Sequence, residues 1–232
     1  MNSIHPTAII GDSVELGSGN IIGPYVTLLG NVCLGNNNWI GTHVSIGGPA
    51  EIRDAERPTA WEQGIHFGKV NIGDNNVIRE SCVIHAGFIS GTFIADNCYI
   101  MNQTYIAHDC NISDNVTLSS NVALGGHAVI QEGANLGMGT VVHQHRVVGT
   151  AAMIGMGSVL SRDILPFAKA YGNPCRIHDV NRVGMSRLGY SETDVDLAVS
   201  HLLNGSMVPL TRELKEAFEA FQALSRQTSN ES

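Results

Sequence analysis

Histidine is the residue type to test first for chemistry in this chain, because its side chain titrates near neutral pH without help from neighbours. His108, His127 and His143 follow one another at similar intervals, and His85 precedes His108 at a somewhat longer one. Such side chains suit a general base, a substrate clamp or the ligands of a metal ion, although they could also be surface residues without a role. Their near-regular spacing predicts a repeated element that places them along one edge of the protein.

A six-residue repeat runs through most of the chain. Aliphatic residues recur every six positions over 4–46, 72–84 and 94–160, and all 23 of these positions are Ile, Leu or Val. Gly often follows the aliphatic residue, so we expect glycine's conformational freedom to form a corner repeated along the chain. Asn20 and Asn38 share one position of the hexad, three repeats apart, where their amides could stack in a ladder.

This repeat resembles that of the hexapeptide-repeat acyltransferases, whose fold is an all-β solenoid, the left-handed parallel β-helix. The resemblance implies a triangular coil of three hexads, with the aliphatic side chains inside the prism. Coils stacked at the ~4.8 Å strand spacing, roughly eight of them, would form a narrow column. With an insert before His108 allowed for, the four histidines then lie near one edge of successive coils.

Two interruptions of the repeat predict loops. The first insertion, about 47–71, contains Trp61, and the second, about 88–93, follows His85. Loops on a rigid scaffold often carry binding groups, but these could also only cover a face. We expect residues 1–165 to form the β-helix domain.

The period is lost after residue 165, and helical patterns follow. Ser191 to Asp194 read Ser-Glu-Thr-Asp, which predicts a capping box that opens a helix ending near Gly205. A second helix over about 209–227 would carry these apolar residues on one face: Leu210, Leu214, Phe218, Phe221 and Leu224. Residues 166–232 are therefore predicted to form a small C-terminal α-helical extension.

Composition excludes several classes of protein. With 43% hydrophobic and 15% charged residues among 232, the chain is predicted to be folded. Its net charge of −8 argues against nucleic-acid binding. No apolar run approaches the ~18 residues of a membrane helix, and no signal peptide pattern is visible, so we expect no stable membrane insertion. Five cysteines without a Cys-x-x-Cys pair indicate reduced thiols in a cytoplasmic protein.

Several runs give a more specific resemblance, to the acyl-ACP–UDP-N-acetylglucosamine O-acyltransferases of lipid A synthesis. Three surround the histidines: Ile106-Ala107-His108-Asp109-Cys110, Ala123-Leu124-Gly125-Gly126-His127 and Val142-His143-Gln144. Others agree in order and spacing: His5-Pro6-Thr7-Ala8-Ile9, Ile78-Arg79-Glu80-Ser81, Ile84-His85, Gly172-Asn173 and Val180-Asn181. The likeness covers the chain from His5 to Tyr190.

The resemblance implies a catalytic set of His108, Asp109 and Gly126. His108 would be the general base that takes a proton from a sugar hydroxyl as it attacks a thioester carbonyl. Asp109 would fix the imidazole tautomer and stabilise its protonated form, unless it is an ordinary corner residue. The backbone N–H of Gly126 would stabilise the oxyanion of the tetrahedral intermediate.

The same resemblance implies a set of substrate-binding residues: His85, His127, His143, Gln144, Met156, Asn181 and Arg187. His127 would line the acyl and sugar site. His143 and Gln144 would contact the nucleotide sugar, although Gln144 could also be a corner residue. Asn181 and Arg187 would lie in the phosphopantetheine or diphosphate region. Met156 occupies a position where residue size limits the acyl-chain length in the family, which favours a short chain or a simple packing role.

Two departures from the family concern the acceptor. Tyr105 stands three residues before the base, where the family usually has a second histidine. The longer segment from Pro49 to Lys69 replaces a short family loop, containing Gln-Asp, that helps to hold the acceptor sugar. The identity of the sugar, and acylation of a hydroxyl or an amine, therefore stay open at this point.

Partners and cofactors follow from the same residues. Residues 162–187 carry five cations against two acidic residues, which suits the acidic acyl carrier protein or the phosphates of coenzyme A. The family resemblance implies a homotrimer with sites between subunits. A zinc site of the β-helical carbonic anhydrases would resemble a His-x4-His pair, which is missing, so we expect no metal and no cofactor.

The predicted function is transfer of an acyl group, with a 3-hydroxyacyl group favoured, from acyl-ACP to a hydroxyl of a UDP-linked amino sugar such as UDP-N-acetylglucosamine. An alternative is N-acylation of another nucleotide-linked amino sugar by acyl-CoA or acyl-ACP. A non-catalytic scaffold or a metal-dependent hydratase is the third class, and the row of histidines argues against it.

Overall fold

A computed structural model describes residues 1–53, 68–205 and 208–230 and shows a parallel β-helix followed by three helices. Most strands are two residues long, since each forms one short side of a triangular coil. In chain order they are β1 (Ser3–Ile4), β2 (Ile9–Ile10), β3 (Glu15–Leu16), β4 (Ile21–Ile22), β5 (Thr27–Leu28), β6 (Asn31–Leu34), β7 (Trp39–Ile40), β8 (Ser45–Gly48), β9 (Lys69–Ile72), β10 (Val77–Ile78), β11 (Val83–His85), β12 (Thr92–Ile94), β13 (Tyr99–Ile100), β14 (Tyr105–Ile106), β15 (Asn111–Ile112), β16 (Thr117–Leu118), β17 (Ala123–Leu124), β18 (Val129–Ile130), β19 (Asn135–Leu136), β20 (Val141–Val142), β21 (Val147–Val148), β22 (Met153–Ile154), β23 (Val159–Leu160), β24 (Ala168–Tyr171) and β25 (Arg176–Val180).

The strands stack into three sheets, one for each face of the prism. Sheet A has the order β1-β4-β7-β10-β13-β16-β19-β22-β24-β25, sheet B the order β2-β5-β8-β11-β14-β17-β20-β23, and sheet C the order β21-β18-β15-β12-β9-β6-β3. All described pairs are parallel except β24 with β25. The predicted parallel β-helix is therefore confirmed, with nine parallel strands in the described part of sheet A and β25 antiparallel to the last of them. The stack continues past residue 165, because β24 pairs with β22 after the six-residue period has ended.

The repeated aliphatic residues fill the prism, as predicted. Every one of them from Ile22 to Leu160 is at most 3% exposed, whereas Ile4 at the open first coil is 43% exposed. Burying one such side chain contributes about 1.5–3 kcal/mol, so stability accumulates coil by coil. A column of this kind is rigid enough to hold side chains in place on its outer edges.

The predicted amide ladder runs up one corner of the prism. Asn20 Oδ1 accepts from the backbone N of Asn38 at 2.8 Å, and Asn38 Oδ1 accepts from that of Asn76 at 2.8 Å. Asn76 Oδ1 in turn accepts from the backbone N of Cys98 at 2.7 Å. These buried amides satisfy backbone groups at a corner where no strand partner is available.

The repeated glycines have a different role from the one predicted. The left-handed residue of a typical corner lies two positions after the glycine site, and Asn, Asp or His often occupies it, as at Asn115 (φ 60°) and Asp109 (φ 57°). These residue types tolerate that conformation best after glycine. The glycines instead allow coils to approach each other: a Cβ on Gly137 would lie 2.6 Å from the backbone N of Met156.

Three helices pack against the last coils: α1 (Arg182–Arg187), α2 (Glu192–Asn204) and α3 (Arg212–Asn230). The capping box of α2 and its left-handed Gly205 confirm the prediction for this helix. The second predicted helix, α3, lies three residues further along the chain than expected, and α1 was not predicted. Met185, Val195 and Leu214 share a core with Phe167 of the β-helix. Within the described residues no helix is long and apolar enough to cross a bilayer.

The two predicted loops differ in how much of them the structure describes. Trp61 and the rest of 54–67 lie outside the described residues, but 49–53 and residue 68 belong to the first insertion. The second insertion is described in full as residues 86–91, between β11 and β12. Both insertions leave the prism next to the histidines.

Candidate active site

The histidine-bearing residues lie on the corner between sheets B and C, which we call the B–C edge. His108 and Asp109 follow β14, and Gly126 and His127 follow β17. Because β14 pairs in parallel with β17, Gly126 is stacked on His108 and His127 on Asp109. The catalytic set expected from the sequence therefore lies on one edge of the prism, in two successive coils.

His108 is held by its neighbours above and beside it. Its Nδ1 lies 2.9 Å from Asp109 Oδ2, and its side chain is 17% exposed. The ring lies so close to Gly126 that a Cβ there would be 2.7 Å from both Cε1 and Nε2 of His108. Glycine is thus the residue that the ring position requires. With Nδ1 bonded to Asp109, Nε2 is the nitrogen left for a substrate.

The backbone N–H of Gly126 makes no hydrogen bond within the described part of the chain, while its carbonyl accepts from the backbone N of His145 at 2.9 Å. An N–H of this kind beside an imidazole can donate to a negatively charged oxygen. His108 and Gly126 therefore place an imidazole nitrogen and a backbone N–H donor side by side.

Asp109 binds the second insertion as well as His108. Its buried carboxylate accepts the backbone N–H groups of four consecutive residues of the second insertion, Phe88 to Gly91, at 2.7–3.0 Å. Burial alone would raise the pKa of Asp109. The hydrogen bonds from Gly91, the His108 ring, Phe88 and Ser90 outweigh burial and hold this pKa well below its usual value. Asp109 is therefore ionised while it orients His108.

His127 joins the cluster and brings a histidine that the sequence analysis missed. The His127 ring meets that of His108 edge-on, with centroids 5.1 Å apart, and its Nε2 lies 3.8 Å from Asp109 Oδ2. His145 stacks flat on His127, with centroids 4.5 Å apart. The signal was available, because His145 follows His127 by one full coil of three hexads.

His143 and Gln144 lie on the B–C edge but outside the ring cluster. Both are exposed, and His143 Nδ1 lies 3.1 Å from the backbone carbonyl of Gln144. Gln144 stacks above Gly126, where the backbone N of Gln144 is 2.6 Å from the position of a Cβ on Gly125. Their side chains face solvent and are free to contact a ligand at the edge.

His85 occupies the same edge one coil before Tyr105. Its ring lies 5.5 Å from that of Tyr105, and its two nitrogens face the Pro49 carbonyl at 2.8 Å and Glu51 Oε1 at 3.2 Å. The Tyr105 hydroxyl also donates to Glu51 Oε1. Glu51 had no sequence signal, since it lies in the first insertion, far from Tyr105 along the chain.

The remaining expected residues are not brought to the B–C edge in a single chain. Met156 is 80% exposed on the corner between sheets A and B, which we call the A–B edge. Arg187 lines a cavity of about 740 Å³ between sheet A and α1. Asn181, also in that lining, caps α1 by accepting from the backbone N of Gly184 at 3.1 Å.

His108, Asp109 and His127 each offer a ligand atom within 4.8 Å of one another, which is compact enough for a metal ion. However, the Asp109 carboxylate is occupied by backbone N–H groups and by His108. The neighbouring thiol of Cys110 is a poor nucleophile, because burial raises its pKa to about 12. This arrangement fits proton abstraction by His108 best.

No family model matches the chain. Two curated relatives carry the name acyl-[acyl-carrier-protein]–UDP-N-acetylglucosamine O-acyltransferase. The one from Thermodesulfovibrio yellowstonii is 32% identical over 219 residues, 85% of this chain and 81% of the relative. The one from Thiobacillus denitrificans is 38% identical over 213 residues, 82% of this chain and 79% of the relative.

Solved structures similar to this chain are also those of UDP-N-acetylglucosamine acyltransferases. The UDP-N-acetylglucosamine O-acyltransferase of Moraxella catarrhalis matches with a TM-score of 0.75 at 28% identity, covering 98% of this chain and 96% of its own. The UDP-N-acetylglucosamine acyltransferase of Arabidopsis matches with a TM-score of 0.72 at 26% identity, covering 98% and 93%. The similarity therefore includes both the β-helix and the helical extension.

Proposed function

The chain belongs to the family of acyl-ACP–UDP-N-acetylglucosamine O-acyltransferases, and from this premise we propose that it transfers an acyl group from acyl-ACP to a hydroxyl of UDP-N-acetylglucosamine. The observation that carries the proposal is the His108–Asp109 pair packed against Gly126, with His108 Nδ1 2.9 Å from the carboxylate. It supplies a base, an orienting carboxylate and an oxyanion donor, the groups that acyl transfer to a hydroxyl needs.

In the proposed reaction His108 Nε2 takes the proton of the sugar hydroxyl as its oxygen attacks the thioester carbonyl. Asp109 keeps the other proton on Nδ1 and stabilises the imidazolium that forms. The Gly126 N–H donates to the oxyanion of the tetrahedral intermediate. When the C–S bond breaks, the imidazolium returns its proton to the leaving thiolate, so an ester and a free thiol result. No cofactor enters this scheme.

We extend the proposal to the substrate contacts. His127, His143 and Gln144 would face the nucleotide sugar along the B–C edge. Met156 would limit the length of the acyl chain, and Asn181 and Arg187 would serve the phosphopantetheine or the diphosphate. His85, with both ring nitrogens engaged inside the protein, would act by positioning its neighbours.

Donor docking is proposed at the basic surface near α1. Lys169, Arg182 and Arg187 line the 740 Å³ cavity there, and Asp179 is the one acidic residue among its described lining. Opposite charge on acyl carrier protein would raise the encounter rate, and this attraction would weaken with salt. The proposal includes a cytoplasmic location and a role in lipid A synthesis; the five free cysteines support the former.

A homotrimer with shared sites is also proposed. His108 lies on the B–C edge. Met156 lies on the A–B edge, and the cavity lined by Arg187 lies against sheet A. These groups can act on one substrate pair if the B–C edge of one subunit faces sheet A of the next. We therefore expect a mixture of His108→Ala and Arg187→Ala chains, refolded together, to be more active than either variant alone. Activity no higher than that of the separate variants would argue against shared sites.

The proposed function predicts turnover that mass spectrometry detects directly. UDP-N-acetylglucosamine incubated with acyl carrier proteins bearing short to long 3-hydroxyacyl chains should gain the mass of one acyl group, with short chains preferred because of Met156. The same assay is carried out in parallel with acyl-CoA donors and with other nucleotide-linked amino sugars. If another nucleotide-linked amino sugar is acylated and UDP-N-acetylglucosamine is not, the proposed O-acylation is wrong and N-acylation takes its place.

A further inference from the structure

His145 occupies the same corner position as Asp109 and His127, in the third of three successive coils. The backbone φ angles of Asp109, His127 and His145 are 57°, 60° and 57°, so all three adopt the left-handed conformation at the corner between sheets B and C. The strands that precede these corners, β14, β17 and β20, pair in parallel and in register. His145 is therefore the next residue in a row that begins with the carboxylate beside the base.

His145 touches two members of the site from this corner. Its ring lies flat on that of His127, with 6° between the ring planes and 4.5 Å between the centroids. Its backbone N donates to the Gly126 carbonyl at 2.9 Å. His145 is only 8% exposed, whereas His143 and Gln144 just before it are exposed. The position of His145 therefore suits support of its neighbours better than contact with a substrate.

The corner that carries His145 is fixed in turn from its C-terminal side. The carboxylate of Asp163 accepts from the backbone N of Val147 at 3.0 Å and lies 3.5 Å from the guanidinium of Arg146. Ser225 of α3 donates to the same carboxylate. Attachments of this kind hold a supporting side chain in place, so the His145 ring offers its neighbour a fixed surface.

His127 is confined between two groups of this row. Its Nε2 lies 3.8 Å from Asp109 Oδ2, and one face of its ring rests on His145. The His127 ring also meets that of His108 edge-on. Because rotation about the second side-chain torsion of histidine is soft, the group packed on the ring face determines the plane of the ring. Without His145, the His127 ring would have room to turn.

We propose that His145 is a positioning residue for the acyl transfer and that it acts by stacking on His127. The stack keeps Nε2 of His127 directed at Asp109 and the edge of its ring against His108. Since the contact is between ring faces, an aromatic ring without nitrogen atoms can replace the imidazole of His145. This inference rests on the proposed function and deepens it by naming a residue that supports the site from one coil away.

Two substitutions of His145 separate the ring from the corner. His145→Asn removes the ring and keeps a residue type that tolerates the left-handed conformation. We expect its kcat/KM for UDP-N-acetylglucosamine to fall about tenfold, because the plane of the His127 ring is no longer held.

His145→Phe should keep kcat/KM within about twofold of the parent value, since a phenyl ring offers the same face. Tyr25 (φ 56°) shows that an aromatic residue fits a left-handed corner of this prism while it stacks on a histidine. A loss in His145→Asn that His145→Phe does not restore would overturn the inference.

His43→Asn is the matched control for the loss of a stacked histidine. His43 (φ 58°) also occupies a left-handed corner, and its ring stacks on that of Tyr25 with 5.0 Å between centroids, but on the A–B edge. This variant should show the kinetics of the parent protein. If His43→Asn lowers kcat/KM as much as His145→Asn does, the effect comes from a weakened coil and the inference is wrong.

A double variant and a pH profile test whether His145 acts through His127. His127→Ala combined with His145→Asn should have about the same kcat/KM as His127→Ala alone, whereas multiplied losses would show independent roles and overturn the inference. The pH profile of kcat/KM should keep its shape in His145→Phe. A displaced limb would mean that His145 acts by its charge, which would contradict a role through stacking.

Calorimetric titration with UDP-N-acetylglucosamine distinguishes this inference from the proposed function. Binding that is weaker in His145→Asn than in the parent protein, and restored in His145→Phe, supports the inference even if no acyl transfer is detected. Equal binding and equal kcat/KM in the parent protein and His145→Asn overturn the inference and leave the proposed function intact. A parent protein that neither binds nor acylates the nucleotide sugar overturns both. Cooperative thermal unfolding of each variant shows that the compared chains are folded.

Discussion

Replacing His108 with alanine should lower kcat for acyl transfer by about 10²–10⁴-fold, the usual contribution of a general base. The His127 ring lies 5.1 Å from that of His108 between centroids and meets it edge-on, so His127 is poorly placed to replace it as the base. Stability should change little, because the His108 side chain is partly exposed and removing it leaves Asp109 bonded to four backbone N–H groups.

Single-turnover kinetics with saturating donor and acceptor measure this effect on the chemical step. His5→Ala is the matched control, because His5 is exposed on the first coil and should be dispensable for the rate. A His108→Ala protein that keeps kcat within tenfold of the parent value would exclude His108 as the general base.

Replacing Asp109 with asparagine should have an effect of similar size on kcat, about 10²–10⁴-fold, because a neutral amide no longer fixes the tautomer or stabilises the imidazolium. It should also lower the free energy of unfolding by about 2 kcal/mol, because backbone N–H groups of the second insertion lose a charged acceptor. The folded-state pKa of Asp109 lies below its unfolded value of ~3.9, so its contribution is present above that pH and is lost as the pH falls through the folded pKa.

Denaturant titrations at neutral pH and near pH 3 measure the effect of Asp109→Asn on the free energy of unfolding. Steady-state kinetics of the same variant measure its effect on kcat. Asp114→Asn is the matched control, since this exposed corner residue accepts one backbone N–H, that of Asp96, at 2.8 Å. If Asp109→Asn changes kcat as little as Asp114→Asn does, then Asp109 is an ordinary corner residue and the catalytic assignment is wrong.

Most of the β-helix could be predicted from the sequence because each coil depends only on local spacing. One aliphatic residue per hexad determines which side chain enters the prism, and three hexads close one coil. The amide ladder and the capping box of α2 are local in the same sense, since each needs only a residue type at a fixed offset. The corner conformation was not readable from glycine, because contact between coils, and not a positive φ, selects Gly at sites such as Gly137.

The candidate site was predictable in part. His145 could have been found from the sequence, because it lies one full coil after His127. Likewise, Met156 follows His108 by two coils and two further hexads, which already places the two on different edges. The pairing of Asp109 with the second insertion could not be predicted, because irregular backbone supplies its four N–H groups. Glu51 meets Tyr105 only through an insertion that interrupts the repeat, where spacing carries no information.

The bond that the enzyme forms is the most direct test of the central claim, that His108 activates a hydroxyl of UDP-N-acetylglucosamine. The purified product should be an ester, so mild alkali should release the acyl chain and restore the mass of the nucleotide sugar. In the same time, His108→Ala should accumulate at least about a hundredfold less of this product. A product that resists alkali would be an amide, and an acyl group on nitrogen would contradict the claim.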